Sequence, residues 1–371
     1  MLFIINSMTG GGAERVMSTL LANSGDWTDR FEIALALLDD DPHAFELPGW
    51  LRVFQLDCKG GIGSSIRALR RVVGEFDAQI SLSFLTRSNF AAGIVMTSRR
   101  RPWIISERTS TPAHLGSRTR QLTTKMLMRL IYPRATRVIA VSDGVAASLS
   151  RGFGVNPRRM EVIPNPFDIP AIERAARGEN PVSAASPYII AVGRLVSVKN
   201  YRLLIEAFER SRLPCKLVIA GEGPDREALT SLAAQLGVAD RVVMPGWLSN
   251  PYPALANAHV FALSSNVEGF PNALVEALAL GIPCVATDCP HGPAEILDGG
   301  TAEPVSASKL AEAGILTPVG DVVSYAHALR MAFDDSVRQR LIAAGPRRAR
   351  RYSAASITAR YWGVIEGALQ G

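Results

Sequence analysis

The sequence predicts an α/β protein made of two doubly wound parallel-sheet domains in tandem. Three observations carry this reading. The chain has 371 residues, 47% hydrophobic and 20% charged, enough for two cores of ordinary size. Short apolar runs alternate with segments of helical spacing from one end to the other, the pattern of βα units on a parallel sheet. A polar, small-residue stretch at 180–187 is followed by a fresh apolar run, Tyr188-Ile189-Ile190-Ala191-Val192, so the pattern restarts there.

Residues 2–6 form the first expected strand. Gly10-Gly11-Gly12-Ala13-Glu14-Arg15 follows, then Val16, Leu20 and Leu21 at helical spacing. Strand, glycine loop and helix make a turn that a phosphate can approach, although G-x-G-x-x-G is out of register. The same glycines equally suit a tight turn that needs positive φ. Further strands are expected at 31–38, 51–56, 78–84, 103–106 and 137–142. Helices are expected at 66–76 and 89–96, and Ser142-Asp143-Gly144 opens another. Residues 161–167 run a short strand into a proline-rich turn. The first domain therefore covers 1–168, with the connection at 165–187 and the second domain at 187–350.

In the second domain, Gly193-Arg194-Leu195 and Ser197-Val198-Lys199-Asn200 separate the first strand from a helix carrying Leu203, Leu204 and Phe208. Arg194 and Lys199 flank that turn. A guanidinium fork and an ammonium point charge there can neutralise a diphosphate, or they are ordinary surface charge. Strands follow at 216–220, 242–247, 259–265 and 284–287, and later helices at 324–330, 337–344 and 357–369.

The most informative stretch is 264–288, read as strand, loop, helix and strand. Glu268-Gly269-Phe270-Pro271 cannot extend the strand, and Asn272 is the expected N-cap of a helix ended by Gly281 and Pro283. Glu268 in the loop and Glu276 in the helix bracket the N–H groups of residues 270–274. A helix start of this kind favours an anion, and carboxylates accept from hydroxyls. An anion seat between two diol-binding carboxylates suits a sugar nucleotide. The plainer alternative is a capped helix with a solvated Glu276.

The formal net charge is +6 and the pI about 9.3, which suggests an anionic partner. Residues 118–137 hold Arg118, Arg120, Lys125, Arg129, Arg134 and Arg137 and no acid, with Leu122, Met126, Met128, Leu130 and Ile131 interleaved. Such a helix can lie on an anionic membrane surface. Alternatively its apolar side faces the core. Arg99-Arg100-Arg101 adds charge to the same domain. No nucleic-acid module or aromatic interleaving is present, so nucleic acid is not an expected partner. No apolar run reaches eighteen residues, and the start lacks a basic n-region, so neither a spanning helix nor a signal peptide is expected. Cys58, Cys215, Cys284 and Cys289 are scattered and read as free thiols in a reducing cytosol, with no metal site and no cofactor.

Glu268-Gly269-Phe270-Pro271-Asn272 with Glu276 resembles the signature of the retaining glycosyltransferases of family 4, which have the GT-B fold. Gly281-Ile282-Pro283-Cys284-Val285-Ala286 is similar to its usual continuation. Gly193-Arg194…Lys199-Asn200 matches a second hallmark, and the Gly-Gly-Ala-Glu-Arg start resembles relatives that build bacterial surface glycans. The resemblance covers nearly the whole chain. It implies two Rossmann-like domains facing a cleft, with a final helix at 351–371 crossing back to the first. It also implies transfer of a hexose or N-acetylhexosamine, with retained configuration, from a nucleotide diphosphate sugar to a lipid-linked saccharide. UDP is favoured, with GDP-mannose as the other donor. The protein would be cytoplasmic and peripheral on the inner membrane face.

The same resemblance assigns roles. Glu276 holds the ribose hydroxyls. Glu268 sits by the donor sugar, with Gly269, Phe270, Pro271, Asn272 and Leu274 forming the helix start. Arg194 and Lys199 hold the diphosphate, Gly11 and Gly12 lie across the cleft, and Gly246 borders the base. No metal is implied, because protein cations do that work. Many relatives carry a histidine after the strand that ends here at Ser106. This chain has Glu107-Arg108 instead, assigned to the acceptor, donor sugar or diphosphate, with His114 nearby. Residues 301–313 look like a small insertion. A sugar-nucleotide epimerase of similar shape and a non-catalytic scaffold of a glycan pathway are the alternatives. A dinucleotide oxidoreductase is disfavoured by the missing fingerprint.

Overall fold

The computed structural model describes residues 1–108, 118–182, 187–300 and 303–370; His114 and the side chains of Arg118 and Arg120 lie outside the described residues. The chain divides into two units, Met1–Phe167 with Ala354–Gly371, and Asp168–Ser353. Among the described residues, no helix is long and apolar enough to cross a membrane.

The first unit is a seven-stranded parallel sheet. Its strands are β1 (Leu2–Ile5), β2 (Ala34–Leu37), β3 (Arg52–Gln55), β4 (Ser81–Phe84), β5 (Trp103–Glu107), β6 (Arg137–Ala140) and β7 (Met160–Val162). The helices between them are α1 (Gly12–Ala22), α2 (Ile62–Glu75), α3 (Thr86–Ser98), α4 (Arg118–Ile131) and α5 (Asp143–Phe153). The order is β3-β2-β1-β4-β5-β6-β7. Central strands such as Leu2–Ile5 and Ala34–Leu37 are buried throughout, because helices cover both faces of a doubly wound sheet. That is why they read as unbroken apolar runs rather than as alternating ones.

The second unit opens with α6 (Ile169–Ala175). It continues through β8 (Tyr188–Val192), α7 (Tyr201–Ser211), β9 (Lys216–Ala220), α8 (Arg226–Gln235), β10 (Val242–Gly246), α9 (Tyr252–Ala256), β11 (Val260–Leu263) and α10 (Asn272–Ala279). It ends with β12 (Cys284–Thr287), α11 (Pro293–Asp298), β13 (Lys309–Leu310), β14 (Ile315–Thr317), α12 (Val322–Phe333) and α13 (Asp335–Ala349). The strand order is β10-β9-β8-β11-β12-β14-β13, parallel except for the β13–β14 edge pair. Strand β13 falls within the stretch expected as a small insertion, so part of that stretch extends the sheet.

The second unit also takes in residues that the sequence leaves as a connection. Asp168 accepts from the Ala171 N–H at 2.9 Å and caps α6, whose Ile169 and Ile172 are buried. Asn250 Nδ2 then donates to the Ala175 carbonyl at 2.9 Å and fixes the helix end.

The last helix, α14 (Ala354–Gln370), belongs to the first unit. Its Trp362 stacks on Trp27 with centroids 5.3 Å apart and planes 7° from parallel, and its Nε1 donates to Ser24 Oγ at 2.9 Å. Ile357, Tyr361 and Ile365 fill the core beside Phe3 and Phe84.

Candidate functional site

In both sheets the strand order reverses once, between β1 and β4 and between β8 and β11. Loops leaving neighbouring strands in opposite directions open a crevice at their carboxyl ends, where open α/β sheets bind ligands. In the second unit the two loops at that point are 193–200 and 264–271.

The first of these loops is held by close backbone approach. Gly221 has φ +149°, and a Cβ there would stand 1.9 Å from the Gly193 carbonyl oxygen. Gly223, at φ +158°, would place one 2.3 Å from the Leu195 carbonyl oxygen. Only glycine permits these contacts. The Leu195 N–H donates to Glu222 O at 2.8 Å and ties the loops together. Asn200, itself left-handed, caps α7 through the Leu203 N–H at 3.2 Å and donates to Asn266 Oδ1 at 2.9 Å.

The second loop closes onto the first. Asn266 N–H donates to Val198 O at 2.8 Å, and Ser264 Oγ to Lys199 O at 2.8 Å. This brings Lys199 Nζ to 2.5 Å from Glu268 Oε1, which also accepts from Ser265 Oγ at 2.6 Å. Thr287 Oγ1 donates to the Ser265 carbonyl at 2.6 Å from the end of β12. The Glu268 side chain is only 10% exposed and that of Lys199 24%, so this pair is poorly screened. Burial, and then the negative charge of Glu268, push the Tyr201 hydroxyl pKa up. Burial, and then Glu268, push the Cys289 thiol up to about 12. Both neighbours therefore stay neutral, and Lys199 is the cation that balances Glu268. Arg194 is exposed and makes no ion pair among the described residues.

Helix α10 starts one residue earlier than expected. Pro271 is its N-cap, at φ −76° and ψ 99°, and Asn272 is already its first residue. Proline fixes the half-extended entry that an N-cap needs, so Asn272 moves inside. The Leu274 N–H donates to Pro271 O at 3.1 Å, so it is not the open anion donor that the sequence suggests. Glu276 is 3% exposed and accepts from the Tyr252 hydroxyl at 3.4 Å. The solvated alternative for Glu276 is thereby overturned. Phe270 sits edge-on to Tyr352 at 5.4 Å. Gly292, at φ +99°, leaves no room for a Cβ beside Pro271 Cδ, and adjacent His291 is left-handed at φ +73°. Strained backbone of this kind clusters at ligand sites. Gly246 ends β10 at φ +87° and accepts from Gly221 N–H at 2.8 Å, with Trp247 65% exposed next to it. Gly269 lies in the loop between Glu268 and Phe270.

In the first unit, Gly11 and Gly12 lie at the start of α1, as N-cap and first residue. Neither has positive φ. A Cβ at Gly11 would stand 2.2 Å from Glu14 Oε2, the end of a flexible side chain that folds back over the glycine and could swing aside. Burial raises the pKa of that carboxyl. Glu107 and Arg108 end β5 in a buried network. Tyr132 Oη donates to Glu107 Oε2 at 2.8 Å, and Asn89 Nδ2 donates to Tyr132 Oη at 3.1 Å. The Arg108 guanidinium donates to Asn165 Oδ1 and, at 2.6 Å, to the Tyr361 hydroxyl, and lies 4.3 Å above the Phe84 ring. Arg108 thus ties α14 to the sheet. Arg108→Ala is expected to lower the stability of the first unit by about 2–4 kcal/mol, and Arg108→Lys to recover little, because it lacks the fork. Thermal unfolding of the purified variants checks this.

Ser265, Thr287, Tyr252, Tyr132 and Tyr361 support these groups and carry no sequence signal that marks them. All but Ser265, which is three residues from Glu268, act across a long chain separation. The spacing of Glu268, Glu276, Arg194 and Lys199 marks them as a candidate set, of which the structure brings Lys199 to Glu268.

Residues 11–166 match the model of the glycosyl transferase 4-like domain, and residues 173–348 that of the glycosyl transferases group 1. The chain belongs to the GT-B glycosyltransferases. This glycosyltransferase is 29% identical over 304 residues to the N-acetylgalactosamine-N,N'-diacetylbacillosaminyl-diphospho-undecaprenol 4-alpha-N-acetylgalactosaminyltransferase of Campylobacter jejuni, covering 79% of the present chain and 81% of that one. It is 28% identical over 300 residues to the lipopolysaccharide core biosynthesis glycosyltransferase LpsD of Rhizobium meliloti, covering 80% and 78%. In fold it is similar to Anabaena HepE, solved in complex with UDP, with a TM-score of 0.79 and 19% identity over 99% of each chain.

Proposed function

We propose that this glycosyltransferase moves a hexose or N-acetylhexosamine from a UDP-sugar to a lipid-linked saccharide in bacterial glycan biosynthesis, with retention of configuration and without a metal ion. The observation that carries the reading is the Lys199–Glu268 pair at the carboxyl ends of β8 and β11, with buried Glu276 on α10 of the same unit. The Campylobacter relative, named for an acceptor on diphospho-undecaprenol, supports the lipid-linked acceptor. The Anabaena structure with UDP supports the donor.

In this reading Glu276, held by Tyr252, accepts from the ribose hydroxyls. Arg194 and Lys199 take the diphosphate, which gathers negative charge as its bond to the anomeric carbon breaks. Fixed cations in a partly dry site stabilise that charge without reorganising. Glu268, released by Lys199 and still held by Ser265, faces the donor sugar. Gly11, Gly12, Glu107 and Arg108 complete the proposed set in the first unit, the last two by shaping its surface at the end of β5. The protein acts at the inner face of the cytoplasmic membrane.

The test is a thermal-shift screen without metal against UDP, GDP, ADP and their sugars, since a ligand bound only by the folded state raises its Tm. UDP and a UDP-sugar are expected to shift it. NMR of the product should show the donor's anomeric configuration. Glu276→Ala is expected to weaken UDP binding roughly 10- to 100-fold, the loss of charge-assisted hydrogen bonds. An unchanged UDP affinity in that variant sinks the assignment.

A further inference from the structure

Helix α4 turns its apolar residues outward. Leu122 is 60% exposed, Met126 64%, Leu127 41% and Leu130 46%, whereas Met128 is buried against the unit. The expectation that the apolar side of this helix faces the core is therefore not met. A surface helix normally shows the reverse arrangement, with its polar side to water. Leu122, Met126 and Leu130 recur every four residues and form one stripe along the helix, with Leu127 beside it. Ile94 of α3 is exposed next to its end, so five of the twelve large hydrophobic side chains exposed among the described residues gather here. Isolated exposed leucines need no explanation, but a contiguous apolar patch does.

The patch is continuous with an apolar recess of about 430 Å³ between α3 and α4. Its walls include Gly93, Ile94, Trp103, Leu130 and Ile131, and Arg134 stands at its rim. Any side chain at Gly93 would strike Ile131 and Trp103 within 2.8 Å, so the recess is shaped by close packing beneath it.

Cations border the stripe. Lys125 and exposed Arg129 lie four residues apart along one edge, and Arg129 Nε donates to Gly152 O at 3.0 Å. Exposed Arg134 donates to the Leu130 carbonyl at the helix end. Exposed Arg159 donates to Pro133 O at 3.3 Å beside it. The sequence holds no acid between Glu107 and Asp143. Nothing on this helix therefore neutralises the border.

We propose that α4 is the surface through which this glycosyltransferase docks on an anionic lipid bilayer. Leu122, Met126, Leu127 and Leu130 enter the acyl region, and Lys125, Arg129 and Arg134 meet the lipid phosphates. An apolar ridge edged by cations and free of acids fits the bilayer boundary, where one element must satisfy hydrocarbon and phosphate at once. A protein partner would have to offer an apolar groove rimmed only by acids. The inference deepens the lipid-linked acceptor reading by placing the membrane against a particular face, and it can be tested without catalysis.

The experiment is flotation of the full chain with phosphatidylcholine vesicles and with vesicles enriched in phosphatidylglycerol, at low and high salt. The wild type is expected to float with the anionic vesicles and to be released by salt. Lys125→Glu with Arg129→Glu should lower partitioning at least tenfold, each basic group near such a surface contributing roughly fivefold. Leu122→Ser with Met126→Ser and Leu130→Ser should abolish flotation while Tm stays within a few degrees, because these side chains are exposed. Wild-type protein that does not float, or variants that float unchanged, overturns the proposal. So does a wild-type dimer that the serine variant dissociates in the absence of lipid. Transfer to a water-soluble acceptor separates the two readings. Glu276→Ala should lose transfer and still float, and the serine variant should keep transfer and not float.

Discussion

Lys199→Ala is expected to lower kcat for sugar transfer by about 100- to 1000-fold, the usual effect of removing one preorganised group that stabilises charge in the transition state. The geometry says why the effect should be large. Lys199 is carried by a loop fixed by Asn200, which caps α7 and bonds to Asn266, and by the carbonyl bonds of residues 198 and 199 to the facing loop. Its ammonium is therefore delivered to one place without an entropic search. The substitution also leaves Glu268, 10% exposed, with Ser265 but without a cation. A partly buried carboxylate in that position costs about 1–3 kcal/mol. Lys199→Ala with Glu268→Gln removes that charge, and should regain most of the stability but none of the activity. Steady-state kinetics and thermal unfolding of both variants test the two effects separately. A single variant with wild-type kcat would remove Lys199 from the mechanism.

The second large effect is structural. Gly221→Ala is expected to destabilise the second unit by at least about 3 kcal/mol, the upper range of overpacking, because a methyl group would stand 1.9 Å from the Gly193 carbonyl oxygen. For a unit of this size, that lowers Tm by roughly 6–12 °C. Gly237 supplies the control. It also has positive φ, at +69°, but nothing lies within 4 Å of its missing Cβ. Gly237→Ala should cost only the backbone penalty, about 1–2 kcal/mol. Equal losses in the two variants would show that φ alone, and not the crossing of the loops, sets the requirement. The clash also reaches the site, because the carbonyl it strikes precedes Arg194. Gly221→Ala should accordingly weaken UDP binding, which Gly237→Ala should not.

Much of the site is legible in the chain because its parts are short-range. Glu268, Pro271 and Glu276 lie on one strand-loop-helix unit, and Arg194 and Lys199 on another, so residue type and spacing mark them. What the spacing misses is how each group is held. Ser265 on Glu268 and Tyr252 on Glu276 are ordinary residues made specific by position. The glycine loop near the N-terminus is legible as a loop, but not for the right reason. Gly11 has no positive φ, and what lies nearest its missing Cβ is the movable Glu14 carboxylate. Glu107-Arg108 reads as a ligand pair, and the fold spends its hydrogen bonds on Tyr132, Asn165 and Tyr361.

The two sheets follow from the sequence, because fully buried parallel strands must be continuous apolar runs and their crossovers must be helices. Tertiary structure decided the rest. It assigned residues from 168 onward to the second unit, by capping α6 and bonding it to Asn250. It carried α14 back to the first unit, by stacking Trp362 on Trp27. It also set the face of α4. A helical pattern shows that apolar residues share one side, but only the packing of Met128 inward shows that this side looks away from the core. Periodicity records which side chains lie together, and it takes the rest of the molecule to determine what they lie against.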